Sequence, residues 1–483
     1  MSETRGLWTS AEIAAATNGR AGKRFSADGV SIDSRKVAQG DLFVALHGPN
    51  FDGNDFVAGA LSAGAAGALV DRLPGGPLGS SVAADMPVVV VEDTLQGLQD
   101  LGGAARARTP AKFAAVTGSV GKTSTKEALK AALEPFGRTY ASVGNLNNHW
   151  GAPLSLSRMP RDTEYGVFEL GMNHAGEITP LSNLVKPQVS IITSVEAVHI
   201  EFFASVAEIA DAKAEIMDGM DANGTVVLPR DNPHYDRLVA HAKRRGIANI
   251  LSFGSDAADV KLIDCVVSPT GSRITAEVMG KRVSYALGLP GLHQAKNSLS
   301  VLAAVKALGL DVASAAAALG GVAALKGRGA RESLMLVSGP ITLLDESYNA
   351  SPASVRAALS LLAASQPEGH GRRIAVLGDM RELGTSGPML HRELMPDIVA
   401  SGVDHVFLVG PIMQELNEIL PQQIRAGHWG ESTDVIQPLL GSLRSGDVVL
   451  VKGSLGTRMA PIVEALRAVD QATVTRPKAA NGD

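Results

Sequence analysis

The chain has 483 residues, too many for one hydrophobic core, and ordinary domain size points to about three domains. A net charge of −5 excludes a nucleic-acid binder of the usual basic kind, and the single cysteine, Cys265, excludes an internal disulfide or a cysteine-rich zinc site, as expected of a protein from a reducing cytoplasm. No apolar stretch has membrane-spanning length and the first five residues lack the apolar core of a signal peptide, so no membrane insertion is expected.

Three blocks follow in chain order. The first, residues 1–109, has strand signals at 40–46 and 87–91, a Gly/Ala-rich helix at 58–67 and a loop at 74–77; residues 106–110 read as a linker. The second, 110–327, opens with a buried strand at 112–116 and a helix at 126–133. Strands at 165–168 and 189–193 then alternate with helical patterns, the grammar of βαβ units in a mostly parallel sheet. Ser205-Val206-Ala207-Glu208 has the capping-box pattern and opens a further helix, and the Ala-rich run at 298–325 has helical spacing. The third block, 328–470, repeats this grammar with strands at 341–344, 373–377, 405–409 and 448–451, and reads as a doubly wound domain. Residues 471–483 are a polar tail, expected to fray. The expected fold class is α/β in three domains: a small N-terminal α/β domain, a central P-loop domain on a parallel sheet, and a Rossmann-like C-terminal domain.

The strand at 112–116 runs into Val116-Thr117-Gly118-Ser119-Val120-Gly121-Lys122-Thr123-Ser124. Bare amides at a helix start, reinforced by the helix dipole, suit a triphosphate. Lys122 can reach its outer phosphates and the Thr123 hydroxyl can hold magnesium. The loop is shorter than the common form, with Val116 where a glycine would stand. Ligands of open parallel sheets sit beyond the carboxyl ends of the strands. Two more such ends carry Glu169 and, a few residues on, His199, a pair that beside a triphosphate suggests a divalent cation. The alternatives are a strand-end salt bridge and a surface histidine. Lys213 falls within the apolar face Val206, Ile209, Ala210, Ile216, Met217, Met220, where a lysine must snorkel, pair with an acid or lose its charge.

Other polar segments stand out. The run 144–151 offers Asn145, Asn147 and Asn148, or is a turn. The run 291–297 could face a base or ribose, with Asn297 as a helix cap in the alternative. Arg328, at a block boundary, could stabilise a γ-phosphate or be an exposed linker charge. Asp345-Glu346-Ser347-Tyr348-Asn349 and Gly378-Asp379-Met380-Arg381-Glu382 end strands of the third block where substrates bind, and Lys452 and Ser454 are candidates for gripping a substrate carboxylate.

Together these strings, with Asp33-Ser34-Arg35-Lys36 and Gly40-Asp41-Leu42-Phe43-Val44-Ala45-Leu46, resemble the Mur ligases, the ATP-dependent amide-forming family of bacterial cell-wall synthesis. The short P-loop is normal for that family. The resemblance covers nearly the whole chain and is greatest to the branch that joins D-alanyl-D-alanine to UDP-N-acetylmuramoyl-tripeptide. It implies that Gly118, Ser119, Val120, Gly121, Lys122, Thr123 and Ser124 hold the ATP phosphates. Glu169 and His199 would bind the second of two Mg2+ ions, with Lys213 carbamylated by CO2. Asn297, Arg328 and Asp345 would contact base, phosphate and ribose. Ser34 and Arg35 would lie near the UDP group, with Asn145, Asn147, Asn148 and Asn349 among the substrate contacts. The third block would bind the dipeptide and close over the cleft, and a monomer is the default. The implied chemistry is activation of a carboxylate as an acyl phosphate, attacked by the dipeptide amine.

Other members of the family are the nearest rivals. Some carry Asp-Asn-Pro-Arg in the C-terminal domain, whereas Asp231-Asn232-Pro233-His234 here lies in the second block and lacks the arginine. Folylpolyglutamate synthase shares the ATP core but not the first block. A P-loop switch protein would need no second metal site.

Overall fold

A computed structural model of the chain describes residues 6–73, 85–255 and 257–474. The architecture is α/β, built on three main sheets, one per domain. The loop expected at 74–77 and the tail beyond 474 lie outside the described residues.

The N-terminal sheet has the order Arg20–Ala21, Val88–Val90, Gly67–Val70, Asp41–Val44, Gly29–Ser31, parallel except at its first edge. The helix expected at 58–67 spans only Val57–Ser62. Residues 67–70 are buried throughout and form a strand enclosed on both faces, where a run of small and branched apolar side chains fits better than on a half-exposed helix. Nor are residues 106–110 a free linker. The helix Thr94–Ala107 runs into them, Arg106 donates to the Val185 carbonyl, and Arg108 lies 4.2 Å over the Trp8 ring while donating to Leu7 and Met159 carbonyls. Arginine is suited to this work, since its planar fork reaches several carbonyls while its face covers an aromatic ring.

The central sheet runs Thr139–Ala141, Tyr165–Glu169, Lys112–Thr117, Val189–Ile192, Thr225–Pro229, Asn249–Gly254, Val260–Ser268, Gly271–Val278, Lys281–Leu287. The first seven strands are parallel and the last three form an antiparallel meander. The five strands after Ile192 have no counterpart in the sequence expectations. Gly271–Val278 alternates exposed and buried residues instead of forming an apolar run, and Thr225–Pro229 ends in a residue that reads as a breaker. Neighbouring core strands are locked by stacked Phe113 and Phe168, ring centroids 5.5 Å apart, a contact of about 1 kcal/mol beyond its burial. The Ala-rich run divides between the helices Leu292–Ala307 and Val312–Ala318, the second capped by Asp311.

The C-terminal sheet has the order Ala330–Leu336, Gly339–Glu346, Val448–Lys452, Arg373–Gly378, His405–Val409, Arg425–Trp429, parallel after its antiparallel first pair. Its closing helix, Ala460–Val474, continues past residue 471, where the tail was expected to begin. No helix among the described residues is long and apolar enough to cross a membrane.

Candidate active site

The P-loop joins the strand Lys112–Thr117 to the helix Lys122–Leu133. Two glycines have no substitute there. Gly118 (φ +148°) lies so close to Thr193 that a Cβ would meet its Oγ1 at 1.9 Å, and Gly121 (φ +86°) is the helix N-cap, where a Cβ would stand 2.5 Å from Asn297 Nδ2. No side chain caps this helix, so its first-turn amides, including those of Lys122, Thr123 and the half-buried Ser124, remain available to an anion. The loop is stapled to the chain beyond the neighbouring strand: the Ser119 hydroxyl donates to Glu196 O (3.1 Å) and accepts from Glu196 N (2.8 Å), and Val120 N donates to Ser194 Oγ (3.1 Å).

Lys122 folds over its own loop, Nζ 2.7 Å from Gly118 O. Burial lowers the pKa of this ammonium, the Glu169 carboxylate opposes that shift, and the Arg328 guanidinium adds to it. Both neighbours therefore lie within electrostatic reach of the loop lysine. Glu169, 2% exposed, is gripped at both oxygens: the Thr123 hydroxyl donates to Oε2 (2.7 Å) and Asn147 Nδ2 to Oε1 (2.7 Å). Its backbone N–H donates to Ser142 Oγ. A hydroxyl and a carboxylate oxygen side by side at a P-loop are the hard donors that magnesium takes, usually together with water and phosphate oxygens.

Lys213 lies on the helix Val206–Ala214, capped by Ser205; Glu208 completes the start of the helix by taking the Ala204 N–H. At 2% exposure the lysine does not snorkel to bulk water, and among the described residues no carboxylate pairs with it. Burial, with the charge of Lys122 adding to it, lowers its pKa well below the ordinary value. A neutral amine is the form that adds to CO2, so the residue's environment fits the carbamate chemistry.

His199 stands apart from these contacts. It sits at φ +55° and its Nδ1 lies 2.5 Å from Glu382 Oε2 of the C-terminal domain, outside hydrogen-bond alignment. Among the described residues no three His, Cys, Asp or Glu side chains gather as a metal cluster. The donors that meet here are Thr123 and Glu169, with Lys122 in electrostatic reach of Glu169 and Lys213 in reach of Lys122.

Asn297 packs on Gly121 from the helix Leu292–Ala307, whose cap is Gly291 rather than Asn297. The Arg328 guanidinium stacks 4.0 Å over Tyr348 and lines a cavity with His293, Gln294 and Glu346. Asp345, 1% exposed, is already engaged by Gly327 N, by Ser347 N and Oγ, and by Arg467, so a ribose would have to share it. Asn148 serves the turn itself, accepting from Trp150 and Gly151 N–H, while Asn145 is exposed. Asn349 is exposed and accepts from Ala350 N. Arg35 forms a two-pronged pair with Asp33, beside Ser34. Lys452 is taken by Glu346 and Asn349 O, and Ser454 Oγ accepts from Arg381 N. The Asp231–His234 segment is a structural turn, with Asp231 paired to Lys296 and Asn232 donating to Val195 O.

One buried residue escaped the sequence reading. Lys126 is wholly buried one turn beyond Lys122 and donates to Ser142 and Gly144 carbonyls, tying the P-loop helix to the segment that carries Asn147. Its signal was helical spacing, since Lys126 stands four residues from Lys122 and three from Thr123.

Family models match in three consecutive stretches: the Mur ligase family catalytic domain at 26–106, the Mur ligase middle domain at 116–305, and the Mur ligase glutamate ligase domain at 331–455. The chain belongs to the Mur ligase family. This Mur ligase is 33% identical over 461 residues to the UDP-N-acetylmuramoyl-tripeptide–D-alanyl-D-alanine ligase of Rickettsia prowazekii, covering 95% of this chain and 99% of that one. It is 34% identical over 450 residues to the Escherichia coli protein of the same name, covering 92% and 95%. Among solved structures, MurF from Acinetobacter baumannii superposes with a TM-score of 0.82 at 28% identity over 95% of this chain and 99% of that one. MurF from Thermotoga maritima in complex with ADP gives 0.75 at 26% identity over 92% and 98%. The Mur ligase is thus an ATP-utilising enzyme with the three-domain architecture of its relatives.

Proposed function

We propose that this Mur ligase joins D-alanyl-D-alanine to UDP-N-acetylmuramoyl-tripeptide, cleaving ATP to ADP and phosphate, in the cytoplasm and as a monomer. The observation that carries the reading is the cluster at the carboxyl edge of the central sheet: an open P-loop, Lys122 poised over it, Glu169 fixed to Thr123, and a buried Lys213 with no carboxylate partner among the described residues. The relatives' shared name supplies the substrates. The proposed division of labour is residues 1–109 for the uridine nucleotide, with Ser34 and Arg35 beside it, 110–327 for ATP, and 328–470 for the dipeptide.

In this reading the P-loop amides orient the triphosphate, and Lys122 and Arg328 offset charge moving onto its oxygens as the tripeptide carboxylate attacks the γ-phosphate. Mg2+ supplies Lewis-acid charge stabilisation, with Thr123 and Glu169 as its protein oxygens and His199 and a Lys213 carbamate proposed as further ligands. Asn297, from beside Gly121, would meet the base, and on domain closure Asp345 would reach the nucleotide and Asn349 the substrate. Closure keeps water from the acyl phosphate.

Phosphate release decides it. With ATP, Mg2+ and UDP-muramoyl-tripeptide, release is expected to depend on D-alanyl-D-alanine; release indifferent to the dipeptide would overturn the assignment.

A further inference from the structure

The proposed reaction needs a proton acceptor, because the amine of a dipeptide is largely an ammonium at neutral pH and an ammonium has no lone pair with which to attack. None of the groups already assigned is free for this. Lys122 is the phosphate lysine, Glu169 is held at both oxygens, His199 faces Glu382, and Lys213, 2% exposed, is assigned to the metal as its carbamate.

A second imidazole lies on the loop that follows Glu169. His174 Nδ1 lies 3.0 Å from Glu177 Oε1, and Glu177 Oε2 accepts the Asn173 N–H at 2.7 Å, which fixes the carboxylate. With Nδ1–H donated to the carboxylate, the lone pair is on Nε2, for which the described residues offer no partner. The ring rests on Phe202, centroids 4.6 Å apart, and Phe202 stays 42% exposed although it is fully apolar. His174 itself is 57% exposed.

Three tethers locate this pair at the site. Its loop continues the strand that ends in Glu169. Phe202 belongs to the turn that begins at His199, its N–H donating to His199 O. Glu215, two residues from Lys213, takes the N–H groups of Gly176 (2.6 Å), Ile178 (3.1 Å) and Thr179 (3.2 Å), clamping the loop to the lysine helix. An oriented imidazole with one free nitrogen, held by a carboxylate, is the arrangement of a general base.

We propose that His174, oriented by Glu177 and seated on Phe202, is the general base that takes a proton from the ammonium of the incoming dipeptide; this rests on the ligase reading above. One N–H bond of the ammonium breaks and its proton goes to Nε2. The freed lone pair forms the C–N bond at the acyl-phosphate carbon, the C–O bond to phosphate breaks as the tetrahedral adduct collapses, and inorganic phosphate leaves. The remaining excess proton on nitrogen passes to solvent.

The test uses the full-length enzyme and two nucleophiles. Hydroxylamine is a weak base, unprotonated at neutral pH, and traps acyl phosphates as hydroxamates without help from a base. His174→Gln is expected to slow amide formation with D-alanyl-D-alanine about a hundredfold or more, to leave hydroxamate formation and the KM for ATP at wild-type values, and to leave the melting temperature unchanged because the side chain is exposed. Glu177→Gln should show the same selective loss, smaller in size. Equal losses with both nucleophiles, or no loss with either, would overturn the proposal. A wild-type enzyme that yields no hydroxamate would instead overturn the ligase reading.

Discussion

Asn147 offers the most direct test of how the site is held together. Its amide donates to Glu169 Oε1 at 2.7 Å while Thr123 holds Oε2, so Asn147→Ala frees one side of the carboxylate and leaves the other bound. A hydrogen bond to a charged group contributes about 1.5–3 kcal/mol. If that energy is what keeps Glu169 in the orientation catalysis needs, kcat/KM should fall between about tenfold and about 150-fold. Initial rates of phosphate release, measured against Mg2+ concentration at saturating ATP, should show a higher Mg2+ requirement and an unchanged KM for the UDP-linked substrate. The resemblance implied a different role, a direct substrate contact. An unchanged Mg2+ dependence with a rise confined to the UDP-substrate KM would refute the positioning argument and restore that role.

Gly121→Ala should abolish nucleotide binding with little change in fold, since the new Cβ would meet the Asn297 amide 2.5 Å away at a backbone angle that L residues rarely adopt; binding of a fluorescent ATP analogue measures it. Lys213→Ala should cut turnover strongly in the same phosphate assay, with no recovery on adding bicarbonate; an unaffected rate would leave Lys213 a packing residue. Acid titration should expose the Glu12–Arg161 pair between the first two domains. Burial alone would raise the Glu12 carboxyl, but hydrogen bonds from Arg161 and Thr9 outweigh it and bring it down to about 2. The stabilisation is therefore complete above pH 4.5 and lost as pH falls toward 2, on the order of 2 kcal/mol after allowing for partial exposure. Glu12→Gln should flatten that part of the stability–pH curve.

What could be read from the chain follows the range of the interactions involved. The P-loop was legible because strand, loop and helix are contiguous and each residue type has a local reason to be there. Glu169 was legible as a strand end, and Lys213 as a charge out of place on an apolar face. The grip of Asn147 on Glu169 was not, because the partners are 22 residues apart and meet only once the parallel sheet sets the strand Thr139–Ala141, and the loop that follows it, beside Tyr165–Glu169. The turn of His199 toward Glu382 was hidden for the same reason, since it depends on how two domains meet. The antiparallel meander was missed because one-sided strands carry a weaker apolar signal than enclosed ones. Arg106 and Arg108 looked like linker residues because arginine is usually solvated; nothing nearby in the chain announces that their targets are the Val185, Leu7 and Met159 carbonyls.

The electrostatics of the site tie these pieces to the chemistry. The charge of Lys122 acts on Lys213, and Lys122 is itself acted on by the Glu169 carboxylate and the Arg328 guanidinium. With both lysines protonated, these four groups would carry two positive charges in excess with little water to solvate them. The cheapest relief is for the more deeply buried amine, Lys213, to give up its proton, which is the direction burial drives it. That leaves Lys122, close to the P-loop and next to Glu169, as the resident cation for the triphosphate. It also leaves a nucleophilic amine within electrostatic reach of Lys122. Conversion of that amine to an anion would cancel the excess, so that a divalent cation brings its positive charge against the phosphates at the moment it binds. In the proposed reading the same lysine thus has a reason to be buried without a carboxylate partner among the described residues: an acid paired to it would keep it charged and block the addition of CO2.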